Sequence, residues 1–161
     1  MHQSSYVLMG KLFRLYIESG STVLDVGGAN INGSYKQIVK DMQCDYKTLD
    51  FENADYIVKG YKWDIPQFDV IISGQTLEHD PFFWRTLRNM AKTARKYVII
   101  IVPSKGNYHP YPVDCYRFMP DCDKAFAKIM NMKLIETVWN GSGDWGDLGM
   151  VFKHGSILPR S

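Results

Sequence analysis

The apolar residues of this chain fall into two alternating spacings. Over Tyr6–Glu18, Leu8, Leu12 and Leu15 recur beside Met9, Phe13 and Tyr16. That three-and-four spacing predicts an amphipathic helix, with Gly20 as its stop. Short apolar runs follow at Thr22–Val26, Tyr46–Leu49, Tyr56–Val58, Phe68–Ser73 and Val98–Val102. Each has the length and β-branched content of a strand, and Val98–Val102 reads as one buried on both faces.

Between the runs the helical spacing returns. Ser34 is placed to cap a helix reaching Met42, with Tyr35, Ile38, Val39 and Met42 inward. Asp80 and Pro81 are expected to open another, whose inner face is Trp84, Leu87, Ala91 and Ala94. Pro103 is expected to stop the fifth strand, and a long loop, Ser104–Pro120, to follow. Asp121 then starts a helix carrying Ala125, Phe126, Ile129 and Met130. Lys133–Trp139 and Leu148–Lys153 read as two last strands joined by the glycine-rich stretch 140–146, a connection short enough for an antiparallel pair. Strands alternating with helices predict an α/β sheet, and 161 residues suit one domain spanning 1–161.

Composition adds mainly exclusions. With 19 basic and 17 acidic residues, the net charge of +2 points to no nucleic acid. No run is long enough to cross a bilayer and no leader pattern opens the chain, so a cytoplasmic protein with no membrane partner is expected. Cys44, Cys115 and Cys122 form no CxxC pair. Free thiols and no metal site are the expectation.

The chemistry gathers at a strand–glycine loop–helix unit followed by a strand that ends in an acid. The loop runs Asp25-Val26-Gly27-Gly28-Ala29-Asn30-Ile31-Asn32-Gly33, and the acid is Asp50. Glycines after a buried strand let a ligand approach the backbone. In open α/β sheets, ligands bind beyond the carboxyl ends of the strands, where a terminal acid can accept ribose hydroxyls.

These stretches, VLDVGGANINGSY (23–35), YKTLDF (46–51), FDVIISGQTLEH (68–79), YVIIIVPS (97–104) and YPVDCYRFMPD (111–121), resemble the class I S-adenosylmethionine-dependent methyltransferases, in particular small bacterial and phage-type domains. The resemblance implies a Rossmann-like, mostly parallel seven-stranded sheet with an antiparallel last strand and helices on both faces. It implies S-adenosylmethionine as cofactor. Asp25, Gly27, Gly28, Ala29 and Asn30 would receive its amino acid end, and Asp50 its ribose. Phe51 would cover ribose or adenine, and Trp63 and Asp64 would meet the adenine edge. Ser73, Gly74 and Gln75 would lie near the sulfonium. The loop departs from the family's alternate glycines: Ala29 and Ile31 stand at two of them, and Gly28 at a position between.

The loop 104–120 is polar, aromatic and long, as functional loops often are. His109 or Asp114 is a candidate base, and Arg117 either binds an anionic acceptor or pairs with Asp114. Glu78 and His79 are read as orienting the segment before the Asp80 helix. Trp139 and Trp145 are read as core packing rather than as an acceptor platform. Three functions compete: a methyltransferase acting on a small-molecule or sugar-like acceptor, a non-catalytic cofactor- or partner-binding module of the same fold, and an NAD-dependent oxidoreductase. Ala29 and Asn32 break the stricter glycine fingerprint of the last.

Overall fold

Seven strands form one sheet in the order β3-β2-β1-β4-β5-β7-β6. The computed structural model describes residues 3–29, 33–141 and 144–155. The strands are β1 (Thr22–Val26), β2 (Asp45–Asp50), β3 (Tyr56–Ile57), β4 (Phe68–Gly74), β5 (Ala94–Lys105), β6 (Lys133–Asn140) and β7 (Gly146–Lys153). β1 pairs in parallel with β2 and β4, β2 with β3, and β4 with β5. β7 runs antiparallel to both of its neighbours, β5 and β6. This is the Rossmann-like sheet with a reversed last strand that the sequence implies.

Helices cover the two faces. α1 (Gln3–Tyr16) and α2 (Lys36–Asp41) share one apolar cluster with Val23, Val70, Ile72, Ile99, Ile101 and Val151. α3 (Phe83–Thr93) and α4 (Cys122–Met130) share the other with Leu24, Ile71, Val98, Ile100, Val102 and Met150. The period-2 alternation of β5 thus feeds two cores, which is why its apolar run has no polar side. Each aliphatic side chain so buried contributes about 1.5–3 kcal/mol.

Some boundaries differ from expectation. α3 begins at Phe83 rather than Pro81, with Phe82 and not Asp80 at its cap position; the Asp80 carboxylate instead accepts from Phe82 N at 2.9 Å and from Thr86 Oγ1 at 2.5 Å. Its buried face is Thr86, Leu87, Met90 and Ala91; Trp84 is only half-buried, and Ala94 already belongs to β5. α2 is shorter than Ser34–Met42, although Ser34 Oγ does accept Lys36 N at 3.0 Å. β5 continues through Pro103 to Lys105. The missing N–H is tolerated at an irregularity in the β5–β7 register between Pro103 and Lys105. The Pro103 carbonyl accepts Phe118 N at 2.8 Å, which ties the following loop back to the strand. The three cysteines are free thiols. No described helix is long and apolar enough to cross a membrane.

Candidate functional site

The carboxyl ends of β1, β2 and β4 meet at one edge. Asp25, in β1, is 3% exposed, and Tyr46 of β2 donates its hydroxyl to Asp25 Oδ2 at 2.6 Å. Ser34 Oγ lies 3.1 Å from the same phenol oxygen. Burial raises the Asp25 carboxyl to about 7; the Tyr46 hydrogen bond opposes this and the nearby Asp50 charge adds to it. The turn after Asp25 depends on glycine. Gly27 has φ +81°, its N–H donates to Leu49 O at 2.9 Å, and a Cβ there would stand 2.2 Å from Thr76 Oγ1. Gly28 is as constrained, since its Cβ would lie 2.8 Å from Asp25 O.

Asp50, ending β2, accepts Ala29 N at Oδ2 (3.1 Å) and Phe51 N at Oδ1 (2.7 Å). Each carboxylate oxygen has a second lone pair for a hydroxyl. Phe51 beside it is 66% exposed, an apolar surface open to a ligand. Asn30 lies outside the described residues. Trp63 is half-buried and packs against the α3/α4 core, so its ring is largely committed there; Asp64 is exposed.

At the end of β4 the expected residues divide. Ser73 is 1% exposed and donates its hydroxyl to Val26 O at 2.8 Å, so only its backbone is left to face a ligand. Gly74 leaves room for Tyr35: a Cβ there would be 2.0 Å from the phenol oxygen. Gln75 has φ +55°, and its Nε2 donates to Asp147 Oδ1 at 2.9 Å. Its Oε1 is buried without a hydrogen-bond partner. α1 closes over this corner, with Ser4 Oγ donating to Asp147 Oδ2 at 2.5 Å and Ser5 Oγ 2.8 Å from Tyr35 Oη.

The loop after β5 brings His109, Asp114 and Arg117 together. Arg117 grips Asp114 with both terminal nitrogens, at 2.6 and 2.8 Å. His109 N donates to Asp114 Oδ2 at 2.8 Å. These donors, Arg117 first, hold the Asp114 carboxyl well below the ordinary range. A carboxylate so stabilised is a poor base, and its side chain is only 1% exposed, so Asp114 positions the loop. His109 is 32% exposed at its side chain and is the remaining base candidate of the three. Its ring also stands 5.4 Å from that of Trp145. Trp145 therefore packs on this loop, while Trp139 is 55% exposed with Nε1 donating to Ser104 Oγ at 3.1 Å. Neither tryptophan belongs to the two core clusters, contrary to expectation.

Glu78, read from the sequence as orienting the segment before the Asp80 helix, has a burial that the sequence does not signal. It is 0% exposed, and neither carboxylate oxygen has a hydrogen-bond partner. Burial raises it to about 8. His79 Nε2 lies 3.6 Å from Glu78 Oε1, while Nδ1 lies 2.5 Å from Val113 O. The His79 and His109 rings meet edge to face at 5.0 Å. A glutamate next to a histidine is a common pair, and nothing in the local pattern signals the burial of its charge.

No protein-family model matches the chain, and no curated protein does. Solved structures do. An S-adenosylmethionine-dependent methyltransferase from Aquifex aeolicus is 17% identical, with 91% of this chain and 88% of that one covered at a TM-score of 0.69. The 1,6-didemethyltoxoflavin-N1-methyltransferase of Burkholderia thailandensis, solved with its substrate and S-adenosylhomocysteine, is 10% identical, covering 94% and 78% at 0.70. The magnesium protoporphyrin IX methyltransferase of Synechocystis, with bound S-adenosylmethionine, is 11% identical, covering 95% and 79% at 0.66. The chain has the class I methyltransferase fold.

Proposed function

We propose that this protein is an S-adenosylmethionine-dependent methyltransferase acting on a small-molecule or sugar-like acceptor. The observation that carries the reading is the pairing of buried Asp25 with half-exposed Asp50 across the Gly27–Gly28 turn. Asp25 offers a carboxylate to the ammonium of the amino acid end, and a cation arriving there offsets the burial that raises its pKa. Backbone at Gly27, Gly28 and Ala29 lies against the same end, with Asn30 following in sequence. Asp50 receives the ribose hydroxyls, and Phe51 covers the ring. Asp64, exposed, remains for the adenine edge, with Trp63 behind it as packing.

When bound, the cofactor supplies an electrophilic methyl group. The protein's share is alignment, since in-line displacement depends on a near-attack geometry. The backbone of Ser73 and Gly74, with Gln75, borders the reacting end. His109 accepts the acceptor's proton where one must leave, and the Asp114–Arg117 pair holds the loop that carries it. Among the described residues, Asp25 and Asp50 belong to no cluster of metal-ligating side chains, and binding of the cofactor without a metal is the expectation.

The test is calorimetry with S-adenosylhomocysteine in the presence of a chelator, beside NAD. Binding of the first and not the second supports the reading; binding of NAD alone overturns it. Release of S-adenosylhomocysteine from S-adenosylmethionine in the presence of acceptor mixtures separates an enzyme from a binding module.

A further inference from the structure

We propose that Glu78, His79 and His109 form a binding site for one divalent transition-metal ion of the zinc class. The inference goes beyond the methyltransferase reading and does not depend on it; His109 serves as the base of that reading only while no metal occupies its Nε2. A ligand-type atom of each of the three side chains lies within 4.8 Å of those of the other two. Glu78 and His79 stand on the single helical turn Leu77–His79 that follows β4, and His109 reaches them from the loop after β5.

The first argument is the buried charge. A fully buried carboxylate without hydrogen-bond donors is costly, and proteins resolve such groups by protonating them, by pairing them or by giving them a metal, which displaces the proton. Both oxygens of Glu78 are in that position. Among the described residues, the ion-pairing nitrogen in contact with Glu78 is His79 Nε2 at 3.6 Å, beyond hydrogen-bonding distance. Zinc bound at about 2.0–2.2 Å to each of three ligands separates those ligands by about 3.3–3.5 Å. The Glu78–His79 separation is close to that already.

The second argument is orientation. Metal-binding imidazoles usually donate their other N–H to a carbonyl or carboxylate, which fixes the tautomer. His79 Nδ1 faces Val113 O at 2.5 Å, and His109 Nδ1 faces Asn107 O at 2.9 Å. A proton on each Nδ1 leaves each Nε2 with its lone pair. The Arg117 guanidinium, which can only donate, stands 3.3 Å from His109 Nδ1, farther than the Asn107 carbonyl, and the bidentate Asp114 neutralises its charge. Two imidazoles and one carboxylate suit zinc, cobalt, nickel or ferrous ions, whereas calcium and magnesium prefer oxygen. Three protein ligands leave at least one coordination position for water or an oxygen-bearing ligand.

The full chain, stripped with a chelator and exchanged into metal-free buffer, should bind one equivalent of Co2+ with a visible d–d absorption band. Zn2+ should abolish the band by displacement. His79→Ala and His109→Ala should each weaken Co2+ at least about tenfold, since losing even an outer partner of a ligand typically costs that much. His154→Ala, at the opposite end of the strands, should leave the band unchanged. A parental protein without the band, or variants that bind like the parent, overturns the site. The parental titration stands even if a variant fails to fold. S-adenosylhomocysteine titrated in chelator keeps the two readings separate: its binding without a cobalt band sinks only the metal site, and a band without its binding sinks only the cofactor reading.

Discussion

Tyr46 hands its hydroxyl hydrogen to Asp25 across two adjacent parallel strands, 2.6 Å from Oδ2. The residues are not opposite in register: Tyr46 aligns with Val23, and Asp25 with Thr48. The long phenol reaches past one residue pair to meet the carboxylate at the sheet's end.

That contact bears on stability. The folded protein holds the Asp25 carboxyl near 7, above its unfolded value. Between the ordinary carboxylate range and about 7 the folded state therefore binds more protons than the unfolded state. The Asp25 contribution is fully present at low pH and is lost as pH rises through that window. Asp25→Asn should flatten this part of the pH–stability curve and raise the ligand-free melting temperature at pH 8. It should also weaken S-adenosylhomocysteine at least about tenfold, the equivalent of losing one charge-assisted hydrogen bond. Paired thermal melts at pH 5 and pH 8 check the first part, and calorimetry the second.

Asp50→Ala should weaken the same ligand by roughly 1.5–3 kcal/mol, the range for hydrogen bonds to a charged group. The fold should change little, because the carboxylate accepts only from Ala29 N and Phe51 N on a half-exposed strand end. Unchanged affinity in a folded variant would remove Asp50 from the site.

Arg117→Ala and His109→Ala should separate. Without Arg117, the nearly inaccessible Asp114 side chain keeps the His109 N–H and, at 3.5 Å, the His109 ring nitrogen. Stability should fall by roughly 3 kcal/mol, the lower edge for breaking a buried ion pair. In metal-free buffer, His109→Ala should melt near the parent, keep S-adenosylhomocysteine affinity, and slow methyl transfer about a hundredfold for an acceptor that must lose a proton. Parental rates for His109→Ala on such an acceptor would exclude it as the base.

Gly74→Ala places a methyl 2.0 Å from the Tyr35 hydroxyl and should cost roughly 1–3 kcal/mol by overpacking. Adding Tyr35→Phe removes the closest atom. The double variant should then be less destabilised than the sum of the single ones, as residues in contact require. Strict additivity in denaturant unfolding would mean that the backbone has moved instead.

Much of this was legible before any coordinates. Alternating apolar periods marked all seven strands and the terminal hairpin, because burial on one or both faces leaves a period in the chain. Asp25 and Asp50 could be placed at strand ends because the runs stop there. What stayed hidden depends on partners distant in sequence. The Ser73 hydroxyl is taken up by Val26 O, and Glu78, read as orienting the Asp80 segment, is fully buried; neither fact leaves a mark in the local sequence. Pro103 suggested a stop because proline lacks a donor. The local register shift that lets β5 run through it is a property of the β5–β7 pair, not of the proline.

The reversed strand β7 has a consequence for biosynthesis. β5, the most apolar strand, acquires its second hydrogen-bonded neighbour only from residues 146–153, after β6 has already been made. Until Gly146 and its successors leave the ribosome, one long edge of Ala94–Lys105 has unpaired backbone groups beside five consecutive fully buried-type side chains, Val98–Val102. Such an edge is a template for pairing with another chain. A nascent chain stalled or clipped before residue 146 should therefore be captured by holdase chaperones or aggregate, even though five of its seven strands could already be joined in parallel.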